Sequence, residues 1–543
     1  MTPAADVQAV VGIRVDAATD IGSGHLMRCL GLAEALRARG IAAHFLAADR
    51  PGAQLERVVE RGYQLTVLPC PLQPAVSASP IATPASQEAD AQASVAAAIS
   101  GRWQAMIVDH YALDAHWERI VKSADLRLLV VDDLADREHE ADLVLDATYP
   151  GDPHRYRGLA GGAELLLGPA YALMSPAFAL ERRLVEERVG SKSRTAAEPR
   201  LLCFFGGSDL PDLSGQALAA LREPGLADVP VDLVIGSANP HADRLREGAA
   251  ARGRVRVHEG LPNLAGLMAQ CSWAVGAGGV TAWERLCLGL PSAVVSIAEN
   301  QVEACERLAD AGLIDYVGHL EGTAAGAAID AREGVARQLA DHLLRMRAEL
   351  GRARARVQWG MGLVDGRGTQ RAVQALIPSR RDDLVLRPAA LSDMATYFRW
   401  ANDPDVRRQA WSQEAISWDR HVAWFQARMG DAGTSSVMLV LEADGLPVGQ
   451  VRFDRVGPGP VERAPSRGRV WQLDYSLEGF ARGRGWAAVL LTDALAWLPR
   501  GDTATAEVRP GNAASIRALT SAGWDQVPGV GGDAVRFEIP VSS

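Results

Sequence analysis

The chain has 543 residues, and at about 100–200 residues per domain that length argues for about three domains rather than one. Hydrophobic residues make up 48% and charged residues 22%, and 56 basic against 66 acidic residues leave a net charge of −10, a globular balance that argues against a nucleic-acid partner held by counterion release. No window approaches the ~18 consecutive apolar residues of a membrane span, and residues 1–10 carry no Lys or Arg to begin a signal peptide, so no membrane association and a cytoplasmic location are expected.

Short β-branched runs alternate with helical stretches from the start. Val11–Asp16 is expected as a strand, Leu26–Arg39 as a helix closed by Gly40, and Ala105–Asp109, Leu128–Asp132 and Ala141–Asp146 as further buried strands. This alternation implies a parallel sheet with helices on both faces. Pro71–Ser94, rich in Ala, Ser, Pro and Gln, reads as a flexible surface insertion. Glu186–Arg200 is charged and contains Gly190 and Pro199, as a linker would. A second series follows, with strands Leu201–Phe205, Val231–Ile235 and Val255–His258, helix Leu264–Ala269, strand Trp273–Gly276 and a long amphipathic stretch, Ala331–Trp359. Pro378-Ser-Arg-Arg-Asp-Asp383 is a polar break. Leu384–Arg387 then opens a last unit of about 160 residues, a sensible size for one α+β domain. The expected organisation is an α/β pair of halves, residues 1–190 and 191–378, with a crevice between them suited to a substrate, followed by residues 384–543.

Lys122 and Lys192 are the only lysines, and neither stands in a Gly-x-x-x-x-Gly-Lys-Ser/Thr setting, which rules out a P-loop and argues against a Schiff-base lysine. Cys29, Cys70, Cys203, Cys271, Cys287 and Cys305 form no Cys-x-x-Cys pair, and there is no aspartate-rich metal motif, so no metal is expected. The first strand runs into Asp20-Ile-Gly-Ser-Gly-His-Leu-Met-Arg28 and then a helix. Glycines let the backbone approach a ligand, and a helix start favours an anion. Gly22, Gly24 and Arg28 are therefore candidate substrate contacts, and His25 a candidate general base toward water. Gly-x-Gly-His alone equally describes a His that caps or packs at a βα turn. In the second half, Gly276-Ala-Gly-Gly-Val-Thr-Ala-Trp-Glu284 again follows a strand and opens a helix. Gly278 and Gly279 can present N–H groups to a diphosphate, Thr281 can add a hydroxyl donor, and Glu284 can accept from ribose hydroxyls. Close helix–strand packing is the competing explanation of these glycines. Gly207 and Ser208 lie in a second glycine turn, Phe205-Gly-Gly-Ser-Asp209, facing the same crevice if the sheet is parallel.

Together with Arg14-Val-Asp-Ala17, Asp109-His-Tyr-Ala-Leu-Asp114, Asp132-Asp-Leu-Ala-Asp-Arg137, Leu167-Gly-Pro-Ala-Tyr-Ala-Leu173 and Ala298-Glu-Asn-Gln301, these segments resemble the UDP-2,4-diacetamido-2,4,6-trideoxy-β-L-altropyranose hydrolases of pseudaminic acid biosynthesis over residues 8–370. That family is related to glycosyltransferases of the GT-B fold. The resemblance implies that His25 activates water, that the second half binds UDP with Asn300 and Gln301 among its contacts, and that cleavage inverts the anomeric carbon without a metal. Asp146-Ala-Thr-Tyr149 departs from the family pattern, in which Gln and Asn often follow the aspartate.

In the last unit, strand Leu473–Leu477 leads into Arg482-Gly-Arg-Gly-Trp-Ala487 and an apolar helix, Ala488–Leu498. Successive N–H groups at such a turn suit a pyrophosphate. Strand Ala504–Val508, Gly511-Asn-Ala-Ala-Ser-Ile-Arg517, a helix and Ala522-Gly-Trp524 follow. This order resembles the GNAT acetyltransferase superfamily over residues 383–540. The resemblance implies that acetyl-CoA is the co-substrate, with Arg482, Gly483, Arg484, Gly485, Trp486 and Ala487 at its pyrophosphate and Asn512 and Ser515 along its pantetheine arm. Glu507 is the candidate base for an amine acceptor. The usual tyrosine donor to the thiolate, seven residues after the Asn, is Leu519 here, and Tyr475 is a substitute to consider.

The expected function is two consecutive steps on one UDP-linked amino-sugar: acetylation of its 4-amino group, then hydrolysis that releases UDP. A non-catalytic acyl-CoA-binding regulatory module in the last unit, and a UDP-sugar-dependent glycosyltransferase in residues 1–370, are the alternatives.

Overall fold

Fully buried runs such as Ala-Met-Ile-Val-Asp at 105–109 have no solvent face, so they become inner strands of parallel sheets covered by helices on both sides. The computed structural model describes residues 9–18, 24–68, 72, 81–190, 198–320, 329–431, 433, 435–456, 468–528 and 534–541. It divides into two units, Met1–Ile377 and Pro378–Ser543.

The first unit contains two parallel sheets. One comprises β1 (Val10–Val15), β2 (Ala42–Ala48), β3 (Gln64–Leu68), β4 (Ala105–Asp109), β5 (Arg127–Val131), β6 (Leu143–Asp146) and β7 (Glu164–Leu167), in the order β3-β2-β1-β4-β5-β6-β7. The other comprises β8 (Leu201–Phe204), β9 (Val231–Val234), β10 (Val255–His258), β11 (Trp273–Ala277), β12 (Ser292–Ser296) and β13 (Asp315–His319), in the order β10-β9-β8-β11-β12-β13. Both are doubly wound, and their cores are built around fully buried Trp117 and Trp273.

Three expectations need correction. Pro71–Ser94 is not simply a surface insertion. Thr83 caps and Pro84 opens the helix Pro84–Gly101, and Gln87, Asp90 and Ser94 are buried. Residues 71 and 73–80 lie outside the described residues. The Glu186–Arg200 linker begins later than expected, because the helix Ala177–Gly190 runs through its first residues. Ala331–Trp359 is two helices, Ile329–Ala348 and Leu350–Leu363, broken at Glu349. The alanine-rich β2 and the half-exposed β3 and β7 carry too weak an alternation to be read as strands.

The second unit is one sheet in the order β14-β15-β16-β17-β18-β20-β19, from β14 (Leu384–Pro388), β15 (Ser436–Ala443), β16 (Leu446–Val456), β17 (Val470–Leu477), β18 (Thr503–Val508), β19 (Asp525–Val527) and β20 (Val535–Pro540). All pairs are antiparallel except β17–β18. That parallel pair is joined only from Val470 to Gln472 and from Thr503 to Thr505. Beyond those residues the two strands continue unpaired with each other, which opens a notch in the sheet.

Candidate functional site

In a doubly wound sheet, ligands bind beyond the carboxyl ends of the strands where the strand order reverses. Those points here are β1/β4 and β8/β11. Gly24 and His25 follow β1, Asp109 ends β4, Gly207 and Ser208 follow β8, and Gly278 to Glu284 follow β11. All but Asp109, which lies buried behind His25, line one cleft of about 870 Å³, which also takes in Arg28, Asn300 and Gln301. Of the first unit's expected site residues only Gly22 is not placed there; it lies outside the described residues.

His25 sits on the first turn of the helix Gly24–Ala38, almost buried. Its Nδ1 is 2.6 Å from Asp109 Oδ1. Asp109 is fully enclosed, which by itself would raise its pKa, but Arg28 and His25 outweigh burial and hold the carboxyl far below the usual carboxylate range. An ionised Asp109 can only accept, so the pair requires Nδ1–H to donate, which in the neutral ring leaves the lone pair on Nε2; Arg28 Nη2 also lies 3.0 Å from Nδ1. Arg28 grips the same carboxylate with Nε at 2.5 Å and Nη2 at 2.6 Å, and reaches Asp133 with Nη1 at 3.1 Å. Tyr111 donates to Asp133 at 2.7 Å and stands edge-on to the His25 ring at 4.7 Å. Arg28, expected to contact substrate, thus also orients the His25–Asp109 pair. Asp109, Tyr111 and Asp133 carried no assigned role in the sequence. The signal for Asp109 was available: a buried aspartate closing a strand next to the one that delivers His25.

Across the cleft, Gly279 has a φ of 81° and caps the helix Val280–Cys287. A Cβ at Gly278 would lie 2.9 Å from Cys305 Sγ, so the turn is closely packed behind as well as open to the cleft in front. Thr281 is already engaged: its hydroxyl donates to the Ala277 carbonyl at 3.4 Å and accepts from Arg285 at 3.2 Å. Gln301 Oε1 accepts from the Ile297 N–H at 3.0 Å, which holds the loop that carries Asn300. Glu284 is partly buried, and burial pushes its carboxyl up to about 7 against the opposing pull of Arg285. Thr148 and Ala147, at the departure from the family pattern, line the cleft as well, and Thr148 Oγ1 accepts from Arg155 at 2.6 Å.

In the second unit, Gly483 and Gly485 have φ of 74° and 76°, and Gly485 caps the helix Trp486–Asp493. Trp486 is buried beneath the turn. The Arg482 side chain serves the turn itself, with ion pairs to Asp403 at 3.1 Å and Asp405 at 2.7 Å, and Arg484 Nε donates to the Phe480 carbonyl at 2.5 Å. That leaves the backbone N–H groups through Ala487 as the turn's remaining donors for the expected pyrophosphate. Asn512 caps the helix Ala513–Ser521 by accepting from the Ser515 N–H at 3.1 Å. Leu519 is fully buried and is a core residue. Tyr475, on β17 past its paired stretch, donates to Ser515 Oγ at 3.0 Å and so spans the notch. Glu507 is exposed on β18, also past that stretch, opposite Arg536 of β20. Among the described residues no helix is long and apolar enough to cross a membrane.

A family model described as an acetyltransferase (GNAT) domain matches residues 383–525. The spore coat polysaccharide biosynthesis protein SpsG of Bacillus subtilis is 30% identical over 173 residues, 32% of this chain, and the chain spans about half, 49%, of that relative's length. The uncharacterized protein MJ1062 of Methanocaldococcus jannaschii is 19% identical over 437 residues, 77% of this chain and 78% of that protein. Among solved structures, MurG of Acinetobacter baumannii aligns with 13% identity and a TM-score of 0.45 over 68% of this chain and 99% of that chain. Two parallel doubly wound sheets are followed by a stretch, residues 383–525, that matches the GNAT acetyltransferase domain.

Proposed function

We propose that the first unit hydrolyses a UDP-linked 2,4-diacetamido-trideoxy sugar and that the second prepares that substrate by acetylating its 4-amino group with acetyl-CoA. The observation that carries the reading is that His25, backed by buried Asp109, lines the same cleft as the two glycine turns. A base oriented by a buried carboxylate faces, across the cleft, N–H donors suited to a diphosphate. Water then loses a proton to His25 Nε2, its oxygen bonds to the anomeric carbon, and the bond to the diphosphate oxygen breaks, with UDP taking the electron pair. That the Bacillus subtilis relative is a spore coat polysaccharide biosynthesis protein agrees with a carbohydrate substrate.

In the second unit the turn through Ala487 would take the CoA pyrophosphate, with the pantetheine arm in the notch between β17 and β18. Glu507 would deprotonate the amine, and Tyr475, bonded to Ser515, replaces the donor lost at Leu519. That same burial of Leu519 is what favours the second reading, a non-catalytic acyl-CoA-binding module. Mass spectrometry of products from candidate UDP-amino-sugars, with and without acetyl-CoA, tests both steps. UDP and a free diacetamido sugar are expected from the 4-amino compound only when acetyl-CoA is present. Acetyl transfer that never occurs would leave the module reading, and UDP release that requires an added acceptor would make the first unit a glycosyltransferase.

A further inference from the structure

Among the described residues of the first unit, three arginines are fully buried: Arg14, Arg285 and Arg371. Arg14 pairs with Asp16 and, at 2.8 Å, with Asp90, and Arg371 donates to Asp365 at 2.7 Å. Arg285 makes no ion pair with any described residue. Its Nη2 donates to the Ala277 carbonyl at 2.8 Å, its Nη1 to Thr281 Oγ1 at 3.2 Å, and its Nε has no partner. A guanidinium taken out of water without an ion pair is costly, and the two hydrogen bonds and the pull of the neighbouring Glu284 carboxyl, itself pushed toward its neutral form by burial, offset only part of that cost.

The place of this charge is informative. It lies directly behind the turn between β11 and the helix Val280–Cys287, so close that a Cβ at Gly276 would come within 2.9 Å of Nη1. The other side of that turn, from Ala277 to Thr281, is a wall of the cleft. By holding the Ala277 carbonyl, Arg285 keeps an acceptor oxygen turned inward, away from an incoming anion.

We propose that Arg285 is a positioning residue whose counter-ion is the ligand: its buried charge, screened from solvent by the turn, draws the diphosphate of the nucleotide onto the Gly278–Gly279 N–H groups without touching it. This rests on the nucleotide-diphosphate reading of the cleft. The attraction acts through weakly screened protein over a short distance, and it scales with the charge of the ligand rather than with its base or sugar.

Titration calorimetry on the full chain with UDP, UMP and uridine tests the proposal. Arg285→Met is expected to weaken UDP about tenfold or more, UMP less and uridine least, since the diphosphate senses Arg285 directly and the ribose only through its pull on Glu284. Ligand-free thermal stability should not fall, because an apolar side chain of similar length replaces an unpaired buried charge. Arg285→Lys should recover most of the UDP affinity. Should the Met variant fail to fold, Arg285→Gln, which also lacks the charge, is read in the same way. The proposal is overturned if wild-type protein binds UDP and the neutral variants bind it equally well. It is also overturned if UDP and uridine affinities fall together with the melting temperature, the mark of a merely structural arginine. Failure of the wild type to bind UDP at all would instead remove the nucleotide reading itself.

Discussion

At the scale of single residues, the chemistry of the cleft turns on which form each group holds. The proposed action of His25 on water rests on Asp109 staying ionised and accepting from Nδ1–H. A general base contributes roughly 10²–10⁴-fold, so His25→Ala is expected to slow UDP release by about that factor while acetyl transfer persists, measured on each half-reaction separately. A loss under about tenfold would remove His25 from the role. Glu284 sets a pH dependence. Its carboxyl is pushed up to about 7 by burial, so the ionised form, the one that would accept from ribose hydroxyls under the proposed function, is gained only as pH rises through that value. UDP affinity should therefore rise across about pH 6 to 8, and Glu284→Gln should flatten the profile. A slope unchanged in the variant would assign it to another group.

At the scale of elements, the helix Pro84–Gly101 is held by Asp90, which accepts from buried Arg14 and from Trp117 Nε1 at 2.8 Å. Asp90→Ala would leave both donors short of an acceptor beside β1, and a loss of about 3 kcal/mol or more is expected in denaturant unfolding. A change under about 1 kcal/mol would show that Asp16 suffices for Arg14. A second cluster joins the helix Ala115–Lys122 to the loop after β5 through His139, which lies 2.7 Å from Glu118 and 3.4 Å from Asp132. Burial opposes the charged ring, but the two carboxylates outweigh it and raise its pKa to about 9. A raised folded-state pKa stabilises fully below the unfolded value of about 6.5 and loses that contribution as pH climbs to about 9. Unfolding free energy should decline over that window, and His139→Gln should remove the decline.

At the scale of the whole molecule, the two units are expected to act in order. If the hydrolase pocket pairs with a neutral amide at C4, an ammonium there leaves its partners unsatisfied and a charge to desolvate, which can reject the compound by a large factor. UDP release from the 4-amino sugar should then depend on acetyl-CoA, and Glu507→Gln should turn that compound over poorly while still hydrolysing sugar acetylated beforehand. Equal rates without acetyl-CoA in the wild type would mean that the two units merely share a chain.

The sequence by itself determined the inner strands, the two series of α/β alternation, the break before the last unit and the glycine turns, because each depends on local periodicity or on backbone freedom over a few residues. It also supplied the cleft residues from Gly24 to Gln301, since turns that follow successive parallel strands must open at the same sheet edge. Only the tertiary structure decided how those residues are used. Asp109 and His25 are 84 positions apart and meet because β1 and β4 are neighbours at the reversal of strand order. The helix Pro84–Gly101 looks polar and small until Asp90 is seen to serve a buried arginine on β1. Arg285, one residue after the expected ribose contact, carries no mark in the sequence of being buried without an ion pair to any described residue. Burial and long-range pairing set the charge and direction of a polar side chain, and neither is written in its immediate neighbours.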